Sequence, residues 1–368
     1  MSCCESCKPK TKILAVILDL DGTLLDTERT TKGVLEEFLA KYGKQIDRER
    51  EDKKRLGATQ KESAAGIVKD YDLPLTPDQY IKEITPMYRE KWQKAKPLPG
   101  ANRLIKHLHK HGVPFALASN SLREYIDAKI SHHRGWKEYF SVILGSDQVK
   151  EGKPSPYLRF EEAAKRMGVD AAHCLVIEDS LVGVRAANAA KMKVVAVPPH
   201  TEAGCSSLAD SVLHSLLEFQ PELWGLPPFE DWIDNALPIE PIHVSIVSVN
   251  GSATEVAEDG TSALPDQVFG LYFGWAKVDM NKSFKVVVSI GWDHCSCIAK
   301  RKICTYVIDG NNDHLSDQQI QLLLVGYIRE LNGKDVTSLS VEMLEEYNCI
   351  AGASLDLPVF VHHSSCCL

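Results

Sequence analysis

The stretch Ile13-Leu14-Ala15-Val16-Ile17-Leu18-Asp19-Leu20-Asp21-Gly22-Thr23 decides the fold of the first half of the chain. An apolar run stops abruptly at two carboxylates and a glycine. A run this short, followed by helix-permissive sequence, reads as a strand buried on both faces of a parallel sheet. Four more apolar runs behave alike, at 114–118, 140–144, 174–177 and 194–197, and amphipathic stretches such as 100–111 and 161–167 lie between them. Strand and helix therefore alternate, which predicts an α/β fold with a doubly wound, Rossmann-like sheet. Residues 26–96 break the alternation with charged, helix-forming sequence and read as a helical insertion after the first strand.

Ligands of a doubly wound sheet bind beyond the carboxyl ends of its strands. This sequence places Asp19-Leu20-Asp21-Gly22-Thr23, Ala118-Ser119-Asn120 and Glu178-Asp179-Ser180 at such ends, with Gly152-Lys153-Pro154 in a loop. Carboxylates converging with a lysine and hydroxyls suit a hard cation and a phosphoryl group, and Mg2+ takes oxygen ligands while bridging to phosphate. Asp19 is the candidate nucleophile, forming an aspartyl-phosphate. Asp21, two residues on in an extended segment, is the candidate general acid and then base. Thr23, Ser119, Asn120 and Lys153 are the candidate phosphate-binding residues. Asp19, Asp21 and Asp179 are the candidate Mg2+ ligands, with Gly22 turning the backbone under the substrate and Glu178 in support. Taken singly, the first pair of acids is a turn and the later pair a helix cap. Their order, each pair at a strand end, is what points to chemistry.

These motifs resemble the haloacid dehalogenase superfamily, and within it the phosphatases with a helical cap inserted after the first motif. The resemblance implies a Rossmann-like core, Mg2+-dependent phosphomonoester hydrolysis, and a substrate-selecting cap over residues 25–96. One departure follows the lysine. Relatives continue Lys-Pro-x-Pro with an acidic residue and a Phe two further on, whereas Lys153-Pro154-Ser155-Pro156 continues with Tyr157-Leu158-Arg159-Phe160, one residue long.

Past residue 200 the texture changes. Leu226-Pro227-Pro228 and Leu237-Pro238-Ile239-Glu240-Pro241 read as a stiff linker, and alternating runs follow at 269–278, 284–290, 303–308 and 321–328. Turn residues separate them, which predicts a small antiparallel barrel, closed by a helix over about 338–353. The divisions expected are a tail at 1–11, a phosphatase domain at 12–220, a linker at 221–241, a barrel at 242–360 and a tail at 361–368. The barrel half resembles a riboflavin kinase domain through Gly270-Leu271-Tyr272-Phe273-Gly274-Trp275-Ala276, Ser289-Ile290-Gly291-Trp292, Val325-Gly326-Tyr327-Ile328-Arg329 and Leu355-Asp356-Leu357-Pro358. Nearly the whole chain thus resembles the plant family that fuses riboflavin kinase to an FMN phosphatase. That likeness implies FMN as the phosphatase substrate.

The kinase motifs themselves look degenerate. Neither a glycine-rich nucleotide loop nor the family's Pro-Thr-Ala-Asn is recognisable between Val249 and Asp266, and an ungapped count puts Cys304 where the family carries its catalytic Glu. A thiol does not replace a carboxylate base without an activating partner. An inactive kinase domain is expected, with takeover by Asp309 or Asp313 as the counter-reading. His294, Cys295 and Cys297 read as a drifting loop before they read as a zinc site. Trp275 and Trp292 have the aromatic faces for riboflavin, and also the look of plain core.

Composition narrows the partners. The 368 residues carry 50 acidic against 42 basic side chains, a net charge of −8, so no basic face for nucleic acid is expected. No apolar run approaches the roughly 18 residues of a membrane span, and no secretory signal is seen. The odd count of 11 cysteines, spread along the chain, fits reduced thiols and a cytoplasmic protein. Four functions stay open at this point: an FMN hydrolase with a silent kinase domain, a phosphatase for sugar or polyol phosphates, a bifunctional enzyme, and a flavin-binding sensor or scaffold.

Overall fold

The computed structural model describes residues 12–47, 60–149, 158–200, 202, 204–249, 252–255, 264–279, 282–293, 300–308, 310, 319–331 and 339–361. The chain divides into two compact units, Met1–Leu213 with Pro221–Pro227, and His214–Gln220 with Pro228–Leu368.

The first unit is built on a six-stranded sheet of order β3-β2-β1-β4-β5-β6. Its strands are β1 (Ala15–Leu18), β2 (Phe115–Ala118), β3 (Val142–Leu144), β4 (Cys174–Glu178), β5 (Lys193–Ala196) and β6 (Ser211–Val212), all paired in parallel. Five of the six coincide with the apolar runs. β6 is a two-residue edge strand whose pattern is too short to be read from sequence. β1, β2 and β4 are buried along their whole length, because helices cover both faces of a parallel sheet. On one face Phe160, Ala163 and Ala164 of the helix Leu158–Met167 share a core with Ile17, Ala116, Ala118 and Val176.

The insertion is helical, as expected, with helices Thr27–Thr31, Val34–Ala40, Gln60–Asp70 and Pro77–Trp92. Phe38, Ile67, Tyr80 and Ile84 give it a core of its own. Thr76 starts the last of these helices with a capping box: its Oγ1 accepts from Gln79 N at 3.2 Å and its backbone N donates to Gln79 Oε1 at 2.8 Å. Such a cap is worth about 1 kcal/mol. The two connections of the cap to the sheet run side by side. Asp26 N donates to Lys96 O at 3.0 Å and Leu98 N to Leu24 O at 2.9 Å, so a two-stranded hinge sits immediately after Asp19-x-Asp21.

The second unit is a closed barrel of order β10-β11-β8-β7-β12-β9. Its strands are β7 (Leu237–Val249), β8 (Ser252–Glu255), β9 (Gly270–Asp279), β10 (Lys282–Asp293), β11 (Lys300–Val307) and β12 (Gln319–Arg329). Val244, Tyr272, Val288, Ile303 and Leu322 belong to one core, while Phe273, Val287 and Val325 pack with Tyr347 and Ala351 of the helix Val341–Ser354 in another.

Two stretches read as linker are structured differently. Leu237-Pro238-Ile239-Glu240-Pro241 opens β7 instead of ending a linker. The β7–β12 register slips between Leu324 and Gly326, and a bulge is where a strand tolerates prolines that lack a donor. Pro221–Pro227 joins the first unit, where Pro227 O lies 2.8 Å from His107 Nε2. His214–Gln220 joins the second, with Leu217 in the barrel core.

Candidate active site at the strand ends

Asp19 continues the line of β1, its N donating to Ile177 O at 3.1 Å, so its side chain emerges at the carboxyl end of the sheet beside the end of β4. Asp19, Glu178 and Asp179 are all buried, and each offers a carboxylate oxygen within 4.8 Å of the others. Burial, then the Glu178 charge, then Asp21, push the Asp19 carboxyl well above the ordinary carboxylate range. Asp179 is raised in the same way by burial and by its neighbours Glu178 and Asp19, and Glu178 is raised by burial. Three buried carboxylates this close are ill suited to one another and well suited to a divalent cation. The all-oxygen donor set fits Mg2+ in particular.

The surrounding residues hold this cluster in place. Thr23 Oγ1 donates to Asp179 Oδ1 at 3.1 Å and lies 3.5 Å from Asp19 Oδ2. Glu178 accepts from Ser180 N at 2.6 Å and Ser180 Oγ at 3.0 Å, while that hydroxyl caps the helix Leu181–Ala189 by accepting from Gly183 N at 3.1 Å. Two glycines are required here. Gly22 has φ +85°, and a Cβ on it would collide with Asp179 Oδ2; a Cβ on Gly183 would collide with Glu178 Oε1.

Asp21 is oriented elsewhere. Its carboxylate receives Lys129 Nζ on both oxygens, at 2.7 and 2.8 Å, and Ser121 Oγ at 3.0 Å, with Ser119 Oγ at 3.4 Å. Burial raises the Asp21 carboxyl, but the Lys129 charge and hydrogen bond, with the hydrogen bonds of Thr27 and Ser121, more than offset this and lower it overall. Its side chain is therefore no member of the three-carboxylate cluster, against the expectation that it ligates metal with Asp19 and Asp179. A lysine within hydrogen-bond reach of both oxygens competes with that role.

The structure thus brings Asp19, Thr23, Glu178 and Asp179 into one group, and Asp21 and Ser119 into the adjoining one. Asn120 is exposed at the end of β2. Lys153 lies outside the described residues, as do His294, Cys295, Cys297, Asp309, Asp313 and both terminal segments.

Sequence reading missed Lys129 and Ser121. Lys129 had a signal: it falls on the buried face of the helix Arg123–Ile130, four residues after Tyr125 and beside Ile126 and Ile130. A lysine on such a face needs a buried partner. Arg123 fixes this helix, its N donating to Asp147 Oδ1 at 2.8 Å and its Nη1 to Ile143 O at 2.7 Å. The same face meets the cap. Lys129 Nζ lies 4.9 Å from the centre of the Trp92 ring, and Tyr125 packs 5.1 Å from it. Tyr125 Oη also accepts from Gln60 Nε2 at 3.2 Å.

In the barrel, Cys304 is buried on β11 directly opposite Ser289 of β10. Trp275 and Trp292 pack into the core beneath the helix Val341–Ser354, and the Arg301 guanidinium covers the Trp292 ring at 4.6 Å. The aromatic faces proposed for riboflavin are engaged in packing.

Comparison with known proteins agrees with both halves. The sequence matches the family of haloacid dehalogenase-like hydrolases over residues 16–197 and that of riboflavin kinase over residues 253–346. It is 44% identical over 358 residues to the bifunctional riboflavin kinase/FMN phosphatase of Arabidopsis thaliana, covering 94% of each chain. It is 38% identical over 229 residues to (DL)-glycerol-3-phosphatase 2 of the same plant, covering 60% of this chain and 94% of that one. Among solved structures, a mutant CbbY from Rhodobacter sphaeroides in complex with xylulose-(1,5)bisphosphate superposes with a TM-score of 0.50. It is 26% identical and covers 56% of this chain and 96% of its own.

Proposed function

This chain belongs to the bifunctional riboflavin kinase/FMN phosphatase family, and on that footing we propose that its first unit hydrolyses FMN to riboflavin and inorganic phosphate, while its barrel does not phosphorylate riboflavin. The observation that carries the hydrolase reading is the buried group of Asp19, Glu178 and Asp179, with oxygens within 4.8 Å, set beside a separately held Asp21.

In the first half of the reaction an Asp19 oxygen attacks phosphorus. The bond from phosphorus to the ribityl oxygen breaks, and that oxygen takes a proton from the acid form of Asp21. In the second half a water gives its proton to the Asp21 carboxylate and attacks the aspartyl-phosphate, which releases Asp19 and phosphate. Lys129 favours the ionised form of Asp21 and so the second half. Thr23 holds Asp179 in register with Asp19, and Ser119 and Ser121 orient Asp21. Asp19, Asp179 and Glu178 would hold Mg2+, which when bound offsets charge on the transferring oxygens.

FMN as substrate is supported by the likeness to the Arabidopsis bifunctional protein along almost the whole chain. Hydrolysis of a polyol phosphate is the second reading, favoured by the 38% identity of the first unit to a glycerol-3-phosphatase. The silent-kinase reading rests on Cys304, a buried thiol where an ungapped count puts the family's carboxylate base. Purified protein with Mg2+ is given a panel of phosphomonoesters and, separately, riboflavin with ATP. FMN turning over no faster than glycerol or sugar phosphates would overturn the substrate assignment.

A further inference from the structure

We propose that Arg159 is a phosphoryl-binding residue of the Asp19 site, supplying a guanidinium to the oxygens of a phosphomonoester or of the aspartyl-phosphate. The inference rests on the reading of Asp19 as nucleophile.

Topology places it there. The helix Leu158–Met167 lies between β3 and β4 in the chain and packs on β1, β2 and β3. As the return limb of a parallel crossover it runs against the strands, so its first turn sits at their carboxyl ends, with Asp19 and Ser119. Arg159 occupies that first turn. It lies on the inward face with Phe160, Ala163 and Ala164, and is itself only 5% exposed.

A buried guanidinium needs partners for its donors. Yet Nε and Nη2 of Arg159 are both buried and meet no hydrogen-bond partner among the described residues. The charges that act on it are the site's own. Burial lowers its affinity for the proton, while Asp19 and then Glu178 act to raise it. Arginine stays charged under such conditions, and its planar fork matches a phosphoryl group bidentately. The result is a buried cation under the charge of Asp19, with Nε and Nη2 unpartnered among the described residues. A tetrahedral oxyanion bonded to Asp19 is the ligand of matching charge and shape. The one-residue lengthening after Pro156 falls just before this residue, so the sequence departs from the family pattern where the added cation enters the site.

The test measures binding of inorganic phosphate and of orthovanadate by titration calorimetry at saturating Mg2+, together with FMN kinetics and the half-saturating Mg2+ concentration. The proteins compared are wild type, R159Q and R159K, each checked for folding by circular dichroism. Loss of a charged hydrogen bond predicts phosphate and vanadate binding weaker by about tenfold or more in R159Q, with kcat reduced and the Mg2+ dependence unchanged. R159K, with the charge but not the fork, falls between. Anion binding within twofold of wild type in folded R159Q would overturn the proposal. So would a change confined to the Mg2+ half-saturation point, which would make Arg159 only a counter-charge for the carboxylates. If R159Q does not fold, R159K is read by the same criterion, with several-fold weaker vanadate binding expected and unchanged binding refuting. A wild-type protein that hydrolyses no phosphomonoester and binds no vanadate would bring down the phosphatase reading itself, a result distinct from failure of the Arg159 assignment alone.

Discussion

Lys129 Nζ bridges both carboxylate oxygens of Asp21, at 2.7 and 2.8 Å, across 108 residues of chain. The lysine is buried on the helix that receives the cap, and its charge reaches the aromatic ring of Trp92, the last residue of the cap's longest helix. One side chain therefore touches both the candidate acid/base and the last helix of the cap.

Replacing this lysine changes the pH dependence of hydrolysis in a defined direction. In wild type the Lys129 charge and hydrogen bonds outweigh burial and hold the Asp21 carboxyl below its ordinary range. In K129M the hydrogen bonds of Thr27 and Ser121 still oppose burial but the lysine charge no longer does, so the Asp21 carboxyl rises and becomes ionised only at higher pH. The ascending limb of the kcat profile should move to higher pH, and K129R should keep it near its wild-type place. A limb that stays put in K129M would remove Lys129 from the mechanism.

The acidic cluster makes the metal-free protein pH-sensitive. Asp19, Glu178 and Asp179 bind protons more tightly folded than unfolded, since burial raises all three and neighbouring carboxylate charges raise Asp19 and Asp179 further. As pH rises from the ordinary carboxylate range near 4 through the raised folded values, the folded state loses that advantage and stability falls. Mg2+ should therefore raise Tm at pH 7.5 much more than at pH 5. Asp179→Asn should raise the metal-free Tm at pH 7.5 while reducing hydrolysis at least a hundredfold, by analogy with loss of one electrostatic stabiliser of the transition state. Differential scanning calorimetry with and without chelator checks both, and equal Mg2+ shifts at the two pH values would contradict the account.

Gly22→Ala should be costly out of proportion to its one methyl group. The position has φ +85° and a Cβ would strike Asp179 Oδ2, so strain and displacement of that carboxylate combine. A loss of about 1–3 kcal/mol in urea unfolding is expected, with hydrolysis largely abolished. Near-wild-type turnover would show that Asp179 need not sit where it does.

Asp19→Asn removes the candidate nucleophile and one charge of the buried carboxylate cluster. The protein should remain folded and form no acid-labile phosphoenzyme from labelled FMN, and phosphoenzyme in that variant would exclude Asp19 as nucleophile.

In the barrel, riboflavin and Mg2+-ATP should give no FMN above background when products are separated chromatographically. Cys304 sits buried opposite Ser289 with no carboxylate at its position to receive the ribityl proton. Robust FMN synthesis would transfer the base role to another residue.

Much of this molecule was legible from local signals. The apolar runs at 13–18, 114–118 and 174–177 announced β1, β2 and β4 because a strand covered on both faces must be apolar throughout. Asp19 and Asp179 could be paired in advance because a parallel sheet gathers its strand ends on one edge. The first strand of the barrel was less legible, since prolines at 238 and 241 imitate a linker unless the bulge in the partner strand is known. The helical character of the insertion was readable from missing strand patterns, while its two-stranded hinge at Leu24 and Leu98 was not.

The sequence by itself determined that acidic residues end the strands of a parallel sheet and that a thiol stands at residue 304 of a barrel strand, because residue type and strand pattern are local properties. Tertiary structure alone decided how the charges were shared. Asp21 turned from the three-carboxylate cluster to Lys129, and Arg159 came under the charges of Asp19 and Glu178, because burial leaves each charge to the opposite charges that the fold brings near it, however distant they are along the chain.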